Sequence, residues 1–466
     1  MDDRPVMTEP DPGIGSADSR GSTEVIWWAV GLLAVVLAML VSGFDVTVSS
    51  VATVAFLMLI LTLRVGNAMA NPIDGVWLPQ LVAWAFLVKL LGSGVRYYVL
   101  VDEYSGAGDA VAYHERASSM ARAWRALTVP VSEGLDAGTR FVDVVTSLIY
   151  TPWIPPMLGG FFIFATLAFL GQLALYAAFR RVMPPKAWRT YAILVLLLPS
   201  LVFWPSSIGK ESLMLLFIGL AALGIAGIYK RFNVGSLFVA AVGLSGMAAV
   251  RPHVAALLVA AAVLGGILAR PSPRPVGSGW RRLLMVVVLL ASFVVLVQFG
   301  SSYFDIEDPQ EIDEFVADVS RNTAQGGSEV SGSAVGRIAD IPSATLRVLF
   351  RPFPTEAHNL QALLSSVEGV LLMGLMLWKL PHIWRTMRST RRHPYLAFSG
   401  AFTLGFVVAF SPILNLGILA RQRVQVLPFL LVLVVGHGWT SRRSHGDAEL
   451  TEDLQAVQSS SRRPPP

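Results

Sequence analysis

Long apolar runs separated by short polar stretches dominate this chain. The runs cover Val25–Phe44, Val46–Leu63, Trp77–Leu91, Met157–Phe179, Tyr191–Trp204 and Ser212–Ile228. Further ones cover Leu237–Val250, Val254–Leu268, Leu283–Phe299, Leu360–Trp378, Tyr395–Leu414 and Val424–Trp439. A helix of about 20 apolar residues crosses the hydrocarbon core of a bilayer. Several runs are shorter than that. The pattern predicts an all-α, polytopic integral membrane protein of about twelve transmembrane helices. The membrane domain occupies 25–440, with outward loops at 92–156 and 300–359 that carry interfacial helices. The flanking stretches 1–24 and 441–466 are polar and have the composition of disordered tails.

One stretch departs from the apolar pattern in an informative way. From Asp109 onward, apolar residues fall at Tyr113, Ala117, Met120, Trp124 and Leu127, while His114, Glu115, Arg122 and Arg125 occupy the other face. This alternation of four and three predicts an amphipathic helix lying at the membrane interface. A second short amphipathic helix is predicted in the acidic segment Asp305–Asp318, from the spacing of Ile312, Phe315, Val316 and Val319.

Composition supports the membrane reading. The chain has 466 residues, of which 54% are hydrophobic and only 14% charged, with a mean hydropathy of +0.60. Soluble domains carry roughly 25% charged residues. There is no cysteine, so disulfides, thiolate metal sites and cysteine nucleophiles are excluded. The net charge of +5 falls beside hydrophobic ends and not in one stripe, which points to topology and away from a nucleic-acid partner.

The charges also predict an orientation. Arg180, Arg181, Lys186 and Arg189 share one loop; Lys230 and Arg231 share another. Two more hold Arg270, Arg274, Arg281 and Arg282, and Lys379, Arg385, Arg388, Arg391 and Arg392. None of these four loops contains an acid, and Arg442 and Arg443 follow the last run. Basic short loops mark the cytoplasmic side, which places both termini in the cytoplasm. The opposite face then receives DEYSGAGDAVAYH (Asp102 to His114), FWPSSIGKES (Phe203 to Ser212) and VRPH (Val250 to His253). It also receives the acidic segment, RPFPTEAHN (Arg351 to Asn359) and NLGILARQR (Asn415 to Arg423).

Each outward motif carries two readings. Asp109 opens a helix, where an acid is commonly an N-cap; placed at the membrane surface it is also a general base able to take a proton from a hydroxyl. Asp102 and Glu103 compete for that role or are solvated loop residues. Lys210 either snorkels to the interface or joins Ser206, Ser207 and the first N–H groups of the next helix in an anion site. Arg251 and His253 lie between apolar small-residue helices, where ionisable groups default to function. Arg421 and Arg423 run against the orientation rule locally, which an anionic partner explains, either an internal carboxylate or a lipid phosphate. Arg351 adds a guanidinium. Glu368, within an apolar run, takes one of these arginines as its partner. Lys89 snorkels near the outer end of its helix. The acidic segment reads as a solvated loop helix, with metal binding as the alternative, though it lacks a specific ligand pattern.

GDAVAYHERA, Gly108 to Ala117, resembles the start of the interfacial helix in polyprenyl-phosphate-dependent membrane glycosyltransferases of the GT-C superfamily. The resemblance implies an acid base, Asp109 before Asp102 and Glu103, and basic residues such as Lys210, Arg251 and Arg423 that neutralise a leaving phosphate. In that superfamily the acidic loop usually follows the first span, whereas here it follows the third. EAHNLQALLSSVEG, Glu356 to Gly369, is similar to a segment of O-antigen ligases and polymerases, on His358, Asn359 and Gly369. It implies outward Arg and His contacts to a lipid-linked donor. The two resemblances share glycan transfer outside the cytoplasm, in cell-envelope or exopolysaccharide synthesis. The partners they imply are a lipid-linked sugar donor and a glycan or lipid acceptor, with neither metal nor cofactor required. A lipid-linked glycan transporter and a structural membrane subunit are the readings from other classes.

Overall fold

Proline and glycine decide where the apolar runs bend, and the bends shape the molecule. The computed structural model describes residues 14–43, 45–71, 73–74, 76–128, 137–268, 337–357, 360–388 and 393–436, with isolated positions at 287, 320, 321, 323 and 335. The described residues contain helices and no β-strand. His358, Asn359, the acidic segment Asp305–Asp318, most of the run Leu283–Phe299 and both end stretches 1–13 and 437–466 lie outside them.

In chain order the helices are α1 (Ile14–Val41), α2 (Val46–Met69), α3 (Trp77–Tyr98), α4 (Asp109–Arg125), α5 (Ala137–Tyr150) and α6 (Met157–Val182). Then come α7 (Pro185–Leu197), α8 (Pro199–Phe203), α9 (Lys210–Lys230), α10 (Val234–Val250) and α11 (Pro252–Leu268). The last group is α12 (Ile341–Phe350), α13 (Leu360–Trp378), α14 (Leu380–Arg388), α15 (Pro394–Phe410), α16 (Leu416–Gln422) and α17 (Leu427–Val435).

Five helices among the described residues are long and apolar enough to cross a membrane: Val46–Met69, Trp77–Glu103, Met157–Val182, Lys210–Lys230 and Gln361–Trp378. A sixth is formed if Leu416–Gln425 and Leu427–Val435, bent by 57°, count as one span. Against the twelve runs expected, Ile26–Val41, α10, α11 and α15 form shorter apolar helices of 10–17 residues. The run Tyr191–Trp204 is not one helix either: it breaks between α7 and α8.

That break, and the one after α8, follow from prolines. Pro199 has no N–H, so the Val195 carbonyl loses its helical donor; Gln172 Nε2 from α6 supplies one at 2.6 Å. Pro205 likewise leaves the Leu201 carbonyl without a partner, and Lys89 Nζ from α3 donates to it at 2.6 Å. Ser206 Oγ donates to the Val202 carbonyl. Away from water an unpaired carbonyl is costly, so broken helices persist only where neighbours satisfy them. Lys89 is fully buried and does not snorkel.

Close helix crossings hold the centre together. A Cβ on Gly171 would lie 2.3 Å from the Leu215 carbonyl oxygen, and one on Gly219 2.2 Å from that of Gly171, so α6 and α9 touch through their backbones. Small residues at interfaces allow this approach in membrane helices. At the C-terminal end of α6, Arg180 Nη1 donates to Asp74 Oδ2 and to the Met69 carbonyl, each at 2.6 Å, which ties the α2–α3 turn to α6.

A cationic cavity as the candidate functional site

The helix breaks deliver polar loops to one cavity of about 1000 Å³. The third run does not stop at Leu91: α3 continues to Tyr98 and then, through a π-helical turn at Val99–Glu103, to Tyr104. Gly92 permits this by lying flush on α8, where a Cβ would sit 2.6 Å from Val202. Arg96, Leu100 and Tyr104, spaced four apart, therefore face the cavity. The loop after α8 brings Trp204, Ser207 and Gly209; the α10–α11 junction brings Arg251; the α12–α13 connection brings Arg351 and Glu356; and α16 brings Arg421.

Of the residues singled out from sequence, Asp109, Lys210, Arg251, Arg351 and Arg421 line this cavity together. Asp102 and Glu103 are exposed in the π-helical turn and are not on its wall. His253 is not on the wall, and its ring packs 6.2 Å from Phe410. His358 is outside the described residues. Arg423 is fully buried behind the wall. Its Nη1 donates to the Arg351 carbonyl at 3.1 Å, and its Nη2 to Ser200 Oγ at 3.2 Å and the Ser365 carbonyl at 3.3 Å. Ser200 in turn donates from N and Oγ to Glu368 Oε2, at 2.7 and 2.8 Å. Arg423 and Glu368 thus face each other across one serine, and Arg423 braces two segments that do line the cavity.

Asp109 is the first residue of α4, and the cap position before it is Gly108. Its side chain is 80% exposed, with Oδ2 3.9 Å from Arg421 Nη1. Lys210 holds the same place on α9, after Gly209. Neither cap glycine offers a side chain to its helix, and both helix starts bring the positive end of a helix dipole to the cavity. Gly108 packs tightly on Leu100, where a Cβ would lie 2.4 Å away.

Five cationic side chains line the cavity (Arg96, Lys210, Arg251, Arg351 and Arg421) against three carboxylates (Asp109, Glu211 and Glu356), an excess of two positive charges. Glu211 Oε1 accepts from Arg251 Nη2 at 3.1 Å, and Glu356 accepts from Arg351 Nε at 3.0 Å and from its Nη2. That bond to Arg351 holds the Glu356 carboxyl below the usual carboxylate range. Arg96 stacks 5.0 Å from the Trp204 ring and 5.2 Å from Phe203. Arg96 Nε and Arg251 Nη1 are buried with no hydrogen-bond partner among the described residues. Tyr104 donates to Gln361 Oε1 across the rim at 3.3 Å. Among the described residues no group of three or more His, Asp or Glu side chains converges on a metal position.

Deeper on α4, His114 Nδ1 lies 3.0 Å from the Tyr150 hydroxyl of α5. Burial lowers the His114 imidazole below its ordinary value, against the opposing pull of Glu115, and raises the Tyr150 phenol. Arg116 and Asp143, 2.8 Å apart, fasten the same two helices.

Sequence reasoning missed Arg96 and Gln361, and held Tyr104 and Trp204 only as parts of the outward stretches with no role of their own. Arg96 carried a usable signal, since it recurs at four-residue spacing with Leu100 and Tyr104 beyond the assumed helix end. No protein-family model matches the chain, and neither a curated protein nor a solved structure matches it.

Proposed function

We propose that the protein is a membrane glycosyltransferase that takes a polyprenyl-phosphate-linked sugar on the outer face of the cell membrane. In this reading the twelve apolar segments are its crossings and both termini are cytoplasmic. One observation carries it: an accessible carboxylate, Asp109, shares a cavity with five cationic groups and two uncapped helix starts. Excess positive charge and two helix N-termini suit a phosphate that gains charge as it leaves. Arg96, Lys210, Arg251 and Arg421 contact that phosphate. Asp109 takes the proton of the acceptor hydroxyl as it attacks the sugar, and the bond from sugar carbon to phosphate oxygen breaks with inversion. Arg423 holds Arg351 and Ser365 in place from behind the wall. The likeness to GT-C glycosyltransferases belongs to this proposal. The ligase and polymerase alternative rests on His358 and Asn359.

The test uses the full chain purified in nanodiscs. Polyprenyl phosphate binds the wild type, and Arg251→Gln and Arg421→Gln each weaken binding about tenfold. Asp109→Asn keeps binding and loses transfer by a factor of about 100 or more, the range for a general base. Donors come from lipid extracts of a deletion strain, whose cell-envelope glycans are compared with those of the parent. Wild-type protein that binds no polyprenyl phosphate overturns the site. Protein that binds the lipid but transfers no sugar is a carrier, and the enzyme reading falls.

A further inference from the structure

α14 contributes no residue to the cavity wall. It follows α13 after the single residue Lys379. α13 is 19 residues long, about 28 Å at 1.5 Å per residue, which is the thickness of the hydrocarbon core. Where α13 spans the bilayer, α14 therefore starts at its surface.

At about 100° per residue, the nine positions of α14 divide into three sectors. Ile383 and Thr386 are buried, and the helix packs on α15 and α17. Leu380, Trp384 and Met387 fall within about 60° of one another and are 56%, 57% and 52% exposed. Arg385 and Arg388 occupy the next sector and are exposed. Arg388 lies 5.1 Å over the Trp384 ring, and Lys379 lies 4.2 Å over Trp378. The sequence continues with Arg391 and Arg392, and no acid occurs between Lys379 and Arg392.

An apolar stripe with tryptophan, flanked on one side by arginines and on the other by protein, has the form of a helix lying in the headgroup layer. We infer that α14 is a docking surface for anionic phospholipid headgroups. Leu380, Trp384 and Met387 insert among the upper acyl chains, while Arg385 and Arg388 pair with lipid phosphates. The charge sign fixes the occupant. A neutral headgroup gains nothing from uncompensated cations held at the surface, whereas an anionic leaflet attracts each by about 1 kcal/mol. A soluble protein partner would have to strip lipid from an apolar stripe continuous with the end of α13.

The experiment reconstitutes the full chain in nanodiscs of phosphatidylcholine mixed with phosphatidylglycerol, releases it gently and counts retained lipids by intact-complex mass spectrometry. Wild type retains phosphatidylglycerol in preference to phosphatidylcholine. R385Q with R388Q lowers that preference about thirtyfold. R385K with R388K keeps it, which separates lost charge from lost fold. Equal retention by wild type and the glutamine variant overturns the inference, as does wild-type retention without regard to headgroup charge. Neither result bears on sugar transfer.

Discussion

Arg421 and Arg423 stand two positions apart and look equivalent in sequence, yet only Arg421 reaches the cavity. Arg423 is enclosed with Glu368 and Ser200, and removing one member of a buried pair leaves the other charge uncompensated. R423M should therefore cost about 3–5 kcal/mol of stability, read as a drop in thermal unfolding temperature in detergent. R423M combined with E368Q should cost markedly less; equal losses would mean that the two do not interact. The acid–base pairs outside the spans give a pH prediction. His114 is pushed below its free value by burial, so its contribution is present above the unfolded value of about 6.5 and declines as the pH falls below it. Wild-type stability should fall as the pH drops below about 6.5, and H114N should flatten that slope. Glu356, lowered by Arg351, acts at more acid pH: its contribution is present above about 4.3 and is lost as the pH falls through its lower folded value. E356Q should remove that acid-limb loss and leave the neutral limb alone.

Hydropathy located most helices because burial in lipid needs only apolar length; α6 and α9 match their runs within three residues at each end, while α2 continues six residues past its run. It failed at Tyr191–Trp204 because an apolar average does not register lost N–H donors. The break there is written in Pro199 and Pro205, and its repair in Gln172 and Lys89, residues that a sequence scan reads as an isolated polar group and a snorkelling cation. The two repairs make a prediction about elements. K89M and Q172L each leave one carbonyl unpaired, and each should destabilise the fold by about 1 kcal/mol while leaving helix content unchanged by circular dichroism. The loop from Trp204 to Gly209, which the Lys89 bond supports, should also become more open to hydrogen exchange in K89M than in Q172L. If both variants unfold at the wild-type temperature, the carbonyls are satisfied some other way and the account of the breaks is wrong.

The arrangement of the whole chain follows from sorting segments by side. The motifs assigned from charge to one face are far apart in sequence, and Asp109, Lys210, Arg251, Arg351 and Arg421 meet in one cavity. The basic residues Arg180 and Arg181 lie at the far end of α6, Arg180 on Asp74 and Arg181 on the Leu223 carbonyl. That much was legible because a helix long enough to span can only alternate its ends. Which arginines face the cavity was not legible, because that depends on turns as local as Gln422 to Gln425. Absolute sidedness rests on the basic loops alone, and the lack of cysteine makes it directly measurable. Ala107, in the loop before α4, and Arg231, after α9, are both exposed. In intact cells A107C should react with a membrane-impermeant maleimide, and R231C should react only after permeabilisation. The reverse pattern would put the cavity in the cytoplasm, where its cations would meet soluble nucleotides. No sugar linked to a lipid on the outer leaflet would then reach Asp109. Reaction of both sites in intact cells would mean that the chain between them does not cross the membrane an odd number of times, contrary to α6 and its neighbours acting as spans. Labelling at the first site alone is the single outcome compatible with an outward phosphate site and cytoplasmic basic loops.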